Sequence, residues 1–210
     1  ATVGQAPFWF TLSGGEPFLR KDIVEVTKTI YRRSKPAIIN IPTNGSLYRV
    51  IPERVEAILQ VCPESEIIIN LSLDDIGRKH DEIRGYPGNW ERAMKTYQEL
   101  RRLKHYPNLT LGIHTVISVF NVKRFPEIYR ALIELQPDSY ISEIAEERVE
   151  LGTMGEKITP DYEHYAAAID FLIGEMKNHR LKGLADVARS FRIEYYQLVK
   201  KFLQTHDQVI

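Results

Sequence analysis

One alternation constrains this chain more than any other feature. Short, β-branched apolar runs take turns, five times over, with longer segments of helical period. The runs are Pro7–Ser13, Ala37–Ile41, Glu66–Leu73, Leu109–Ser118 and Ser139–Ala145. The spacing predicts helices over Leu19–Arg33, from Pro52 through Cys62, over Asn89–Leu103 and over Val122–Leu135. Two more, Pro160–Lys177 and Leu184–Leu203, follow the last run. In the first helix Ile23, Val24, Val26, Thr27 and Ile30 fall on one face. Ile67, Ile68 and Ile69 are continuous, as a strand covered on both faces requires. Between Leu73 and Asn89 the sequence DDIGRKHDEIRGYPG has no apolar period and reads as a solvated loop carrying His80, Asp81 and Arg84.

Strands alternating with helices predict an α/β fold around a parallel sheet. Right-handed crossovers then leave two architectures, an open doubly wound sheet or part of a (β/α) barrel. The expected division is a core over residues 1–183 and a C-terminal helical segment over 184–210. Both architectures place ligands beyond the carboxyl ends of the strands. Those ends are polar here. The first carries Thr11 and Ser13 before Gly14-Gly15-Glu16, and the second Asn40 and then Asn44. The third carries Asn70, Ser72 and Asp74, the fourth Gly112, His114 and Ser118, and the fifth Ser142 or Glu143 according to register. A buried strand has no water for such groups, so they pair with one another or line a cavity. Taken singly, each is as well explained as a helix cap or turn residue; taken together, they point to a wet concave site.

Gly14-Gly15 lets the backbone approach a ligand closely. A carboxylate beside it suits an ammonium group and repels a phosphate, and no P-loop or GxGxxG follows a strand. On these residues alone the plainer reading is a tight turn, with Glu16 in the first turn of a helix where the dipole favours an anion. The six histidines are scattered, without a zinc-type spacing. Ser72, Asp74 and His114 could supply a triad, but no GxSxG elbow supports it. Cys62, the only cysteine, sits on an apolar helix face and reads as an inert core thiol.

Composition narrows the partners. Lys+Arg and Asp+Glu each number 28, a formal charge of zero, against a whole-surface nucleic-acid or anionic-membrane binder. No apolar run approaches the roughly 20 residues of a membrane span. One thiol suits a reducing, cytoplasmic setting.

The order TLSGGEPFLRKDI, IPTNGSL, LSLDD…HDEIRG and HTVISVFN resembles the radical S-adenosylmethionine (SAM) superfamily, in the branch that often carries a SPASM-type auxiliary domain. The resemblance runs from about Phe8 to about Gly152. It implies a partial (β/α) barrel of TIM type, and an enzyme whose [4Fe–4S] cluster cleaves SAM reductively to start radical chemistry on a peptide or small molecule. It implies an electron donor such as ferredoxin or flavodoxin. Carried over to this chain, Gly14, Gly15 and Glu16 hold the methionyl amino group, and Ser72 and Arg84 contact ribose hydroxyl or methionyl carboxylate. An Arg fork suits a carboxylate. Asn44 borders that pocket, and His114 falls beside the adenine where the family often has an aliphatic residue. Asp74 and Glu143 are weaker candidates on the substrate side.

One departure stands out. The family's cluster hangs on a CxxxCxxC loop ahead of GGEP, and only seven residues precede Phe8, none of them Cys. No metal ligands are therefore assigned in this chain, which is expected to be inactive by itself, with the first barrel strand and cluster loop cut away. Two alternatives remain: a cluster-less SAM-binding or scaffold module, and an unrelated barrel hydrolase or aldolase using Asp74, His114 and Glu143. A barrel lacking its first strand would also expose the Phe8–Ser13 edge and invite dimerisation.

Overall fold

The structure, a computed structural model, describes residues 4, 7–149, 152–178 and 184–205. The strands are β1 (Trp9–Thr11), β2 (Ile38–Thr43), β3 (Glu66–Ser72), β4 (Leu109–Ile117) and β5 (Ser139–Ile144). The helices are α1 (Ile23–Ser34), α2 (Ile51–Val61), α3 (Gly77–Arg84), α4 (Asn89–Arg102), α5 (Phe125–Ile133), α6 (Tyr162–Asn178) and α7 (Leu184–Thr205). The strands form one sheet in the order β1-β2-β3-β4-β5. The pairs β1·β2, β2·β3 and β3·β4 are parallel, with Thr11 opposite Asn40, Asn40 opposite Ile68, and Ser72 opposite His114. A doubly wound sheet reverses its strand order at a switch point. This sheet advances one neighbour at a time without reversal, which is the progression of a (β/α) barrel.

Register sorts the side chains onto two faces, because successive residues of a strand point opposite ways. Ile39, Ile41, Ile67, Ile69, Leu71, Leu109, Leu111 and Ile113 share one face and are buried. The other face carries Thr11, Asn40, Ile68, Asn70, Ser72, Gly112 and His114. Neighbouring residues on it reach one another: Asn70 Nδ2 donates to Asn40 Oδ1 at 2.9 Å, and Asn40 Nδ2 lies 3.5 Å from Thr11 Oγ1. This is the polar face expected from the strand ends, and Glu143, exposed, takes its place there beside His114 while Ser142 is fully buried.

Two expected elements differ from the sequence reading. The segment expected as a helix from Leu19 begins instead with a 3-10 turn over Pro17–Leu19, and α1 starts only at Ile23. Arg20, extended at φ −68°, ψ 121°, breaks the path, and its guanidinium pairs with Asp22 at 2.8 Å. The loop between Leu73 and Asn89 contains α3. This helix buries one side chain, His80, so it has no apolar stripe to read. It ends at Gly85, whose φ of +60° is the left-handed cap that glycine adopts without strain.

By internal packing the chain falls into two units, residues 1–116 with 131–143, and 117–130 with 144–210. The boundary expected between 183 and 184 abuts residues 179–183, which lie outside those described. In the second unit the Tyr129 and Phe171 rings meet at 5.6 Å in a T-shaped pair, the Arg130 guanidinium stands over Phe171 at 4.9 Å, and Lys200 pairs with Asp170 at 2.5 Å. No helix among the described residues is long and apolar enough to cross a membrane.

The turn after β2 is fixed by contact with α4. Gly45 has φ +70°, and a Cβ there would lie 2.9 Å from the Ala93 Cα, while its carbonyl accepts from Thr96 Oγ1 at 2.6 Å. Gly45→Ala is therefore expected to cost about 1–3 kcal/mol, as overpacking against backbone does. A denaturant titration with an unchanged m-value checks this; an unaltered midpoint contradicts it.

Candidate functional site

Gly14, Gly15 and Glu16 leave β1 in a turn whose first residue has φ +142°, a value that favours glycine. Nothing lies within 4 Å of where a side chain at Gly14 or Gly15 would start, so the backbone edge is open to an approaching group. Glu16 is only 9% exposed. Its Oε1 accepts from the Phe18 N–H at 3.1 Å and its Oε2 from the Asn44 N–H at 2.8 Å, and the Thr43 hydroxyl is 2.9 Å from both oxygens. The carboxylate thus caps its own 3-10 turn and ties it to the turn after β2. Arg54, from α2, donates to the carbonyls of Phe18 and Arg20, which holds the same turn from behind.

Arg84 ends α3, and its Nε lies 2.8 Å from Asp74 Oδ2. The arginine side chain is 29% exposed and the aspartate side chain 8%. Asp74 Oδ1 accepts from the Val116 N–H at 2.9 Å, which anchors it to β4. Asp74 is therefore a partner that aims Arg84, a role the sequence reading did not give it.

Ser72 and His114 are opposite one another across β3 and β4. His114 Nε2 lies 3.5 Å from Glu143 Oε2. Ser72, His114 and Glu143 thus form a row across three strands at one rim of the polar face. Gly14, Gly15, Glu16, Asn44, Ser72, Asp74, Arg84, His114 and Glu143 lie in the first unit, and the strand-end Ser118 lies in the second.

His80, read from sequence as part of a solvated loop, is fully buried. Its Nδ1 accepts from the Asp74 N–H at 3.2 Å, and its Nε2 is 3.0 Å from Asn89 Oδ1. Asn89 Nδ2 donates to the Asn44 carbonyl at 3.1 Å. Thr43, His80 and Asn89 were thus not singled out by sequence. The signal available was the apolar-poor segment ending in glycine, which allows a short helix with a buried imidazole.

Cys62 caps α2 and is fully buried, and burial pushes its thiol up to about 11. Such a thiol is inert at neutral pH. Among the described residues no group of three His, Cys, Asp or Glu could hold a metal ion. A [4Fe–4S] cluster needs three or four thiolates, so this chain's residues do not fit one.

A sheet that advances one neighbour at a time, with an open Gly-Gly-Glu turn at one strand end and a polar face across the strands, defines an α/β fold of (β/α) barrel type. Comparison with known proteins is more specific. Residues 10–132 match the Radical SAM superfamily, and the chain belongs to it. It is 28% identical over 130 residues to the AdoMet-dependent heme synthase of Methanosarcina barkeri (strain Fusaro / DSM 804), covering 61% of this chain and 34% of that protein. It is 27% identical over 119 residues to the pre-heme d1 synthase of Dinoroseobacter shibae (strain DSM 16493 / NCIMB 14021 / DFL 12), covering 57% and 27%. It thus spans about a third or less of these relatives' length. Among solved structures, native anSMEcpe with bound AdoMet matches at TM-score 0.57 and 14% identity, over 81% of this chain and 46% of that one. The same protein with AdoMet and Cp18Cys peptide matches at 0.54 and 15%, over 81% and 48%. At that identity the likeness establishes the fold, a partial radical SAM barrel.

Burial holds His80 below the ordinary value of 6.5, against the raising influence of its Asn89 hydrogen bond; Arg84 lowers it further, and Asp74 and Asp81 raise it. The unfolded chain therefore binds this proton more readily. The stability due to neutral His80 is complete above about pH 6.5 and is lost as pH falls from there toward the depressed folded value. Thermal melts between pH 7.5 and 5.5 should show a falling midpoint, and His80→Gln should flatten that fall. Parallel profiles for both proteins would contradict it.

Proposed function

We propose that this chain is the SAM-binding portion of a radical SAM enzyme. Glu16 and the open Gly14-Gly15 backbone take the methionyl ammonium, and Arg84, aimed by Asp74, takes the methionyl carboxylate or a ribose hydroxyl. Ser72 contributes a hydroxyl beside Arg84's segment, Asn44 borders the pocket, and His114 flanks the adenine. The observation that carries this reading is the buried Glu16 carboxylate at a glycine turn, within a family match spanning residues 10–132. A carboxylate this enclosed, with its backbone partners already in place, favours a charged donor as its remaining neighbour. The AdoMet-bound neighbours of the same fold support the ligand.

The chemistry of the whole enzyme is read more coarsely. In that reading the whole enzyme would carry a [4Fe–4S] cluster on ligands that are not among these residues, which would supply the reducing electron for SAM cleavage, in a cytoplasmic setting with a ferredoxin- or flavodoxin-type donor. The substrate is a peptide or a small molecule, and the relatives named as heme synthases favour the small-molecule branch. Asp74 is committed to Arg84, so Glu143 and His114 are the stronger substrate-side candidates. A second reading is a cluster-less SAM-binding module in which the same residues grip SAM; the buried Cys62 thiol fits both readings.

Calorimetry with SAM tests what both readings share. The chain is expected to bind SAM, and Glu16→Gln and Arg84→Ala are each expected to weaken binding about 10- to 100-fold, the worth of a hydrogen bond to a charged group. Unchanged affinity in both variants would sink the assignment. Iron–sulfur reconstitution of the complete gene product then separates the two readings.

A further inference from the structure

The two arms of the proposed SAM grip lie on different elements, Glu16 on the turn after β1 and Arg84 at the end of α3. A run of polar contacts joins them through the protein. From Glu16 it passes to the Asn44 N–H at 2.8 Å, then from the Asn44 carbonyl to Asn89 Nδ2 at 3.1 Å. From Asn89 Oδ1 it reaches His80 Nε2 at 3.0 Å, and from His80 Nδ1 the Asp74 N–H at 3.2 Å. Asp74 Oδ2 then meets Arg84 Nε at 2.8 Å. His80 touches both sides, Asn89 at one ring nitrogen and Asp74 at the other.

Its chemical state is dictated by its neighbours. A backbone N–H can only donate, so Nδ1 must accept from Asp74. A neutral imidazole that accepts at Nδ1 carries its proton at Nε2 and donates to Asn89 Oδ1. That in turn points the Asn89 amide nitrogen at the Asn44 carbonyl. An imidazolium would set one N–H against another at Asp74, and the fully buried ring has no water to offer instead. The charged groups around it are Asp74, Asp81 and Arg84, and Trp90 stands edge-on at 5.9 Å. Asp81 is engaged by the Gly88 and Trp90 N–H groups, both at 2.7 Å, which seats the start of α4 and hence Asn89.

We propose that His80, in its neutral Nε2–H form, is the positioning residue that sets the Glu16 turn and the Arg84 arm in fixed relation, so that both ends of one SAM molecule are gripped together. This rests on the reading of Glu16 and Arg84 as that grip. Two variants divide the ring's two jobs. A glutamine amide reaches the place of Nε2 and keeps the donor to Asn89, while an asparagine carbonyl reaches the place of Nδ1 and keeps the acceptor for Asp74. His80→Phe fills the space and supplies neither.

The experiment measures SAM affinity by calorimetry at pH 7.5 and 5.5 for the chain and these three variants, together with ¹⁵N NMR signals without ligand. His80→Phe is expected to weaken SAM binding at least about tenfold, the loss of two buried hydrogen bonds, with His80→Gln and His80→Asn intermediate. Affinity of the unaltered chain should fall between pH 7.5 and 5.5 by more than that of His80→Gln. His114 and every other residue are the same in both proteins, so the difference between them belongs to His80. In NMR, His80→Gln should leave the Asn44 amide in place and shift the Val116 amide and Arg84 Nε–H, and His80→Asn should do the reverse. Affinities and pH profiles that match the unaltered chain overturn the proposal, as do signals that move identically in both variants. If the unaltered chain binds no SAM, the function assigned to the site fails, and the crossed NMR pattern still decides whether His80 couples the two arms. If His80→Phe does not fold, the glutamine and asparagine arms carry the test.

Discussion

A single carboxylate, sheltered from water, organises the strand ends of this protein. Glu16 collects the N–H of its own turn, the N–H of the next strand's turn and the Thr43 hydroxyl. Removing such an acceptor strands buried donors at about 1–3 kcal/mol each. The turn after β2 is then pinned on its other side by α4 through Gly45, Thr96 and Asn89. Two strands and a helix therefore depend on one anion for their mutual placement. In the proposed reading the same anion also takes the ammonium end of the ligand, so folding and binding would draw on one group.

The arginine side of the site is built differently. Arg84 is half of an ion pair whose carboxylate is held by the β4 backbone, so in the proposed reading its guanidinium would be placed before the ligand arrives. A side chain aimed in advance loses less freedom on binding. Asp74 thereby acts through Arg84, and the polar rim of Ser72, His114 and Glu143 is left to face whatever lies beyond the strands.

The alternation of β-branched runs with amphipathic segments was enough to read the parallel sheet, because period-two and helical patterns are both fixed by what the core must bury. The ordered motifs around Glu16, Asn44 and Arg84 carried the family. What lay beyond reach shares one cause. α3 buries an imidazole where a helix normally buries hydrocarbon, so hydropathy offered no period to detect. The start of α1 was misplaced because Arg20 and Asp22 fit a helix by composition, and the break comes from the capped turn made by Glu16. Asp74 looked like a strand-end acid facing a substrate, and only the distance to Arg84 gives its employment.

The polar face of the sheet holds one further consequence. A Cβ on Gly112 would come within 2.0 Å of Asn70 Oδ1 and 2.6 Å of Ser139 Oγ, so three adjacent strands share a space that fits one side chain. Bulk gained on one strand must be surrendered by its neighbour. Relatives that remodel the floor of this face are accordingly expected to change these three positions as a set, and a designer who wants a deeper bed for a larger guest would begin by shortening Asn70.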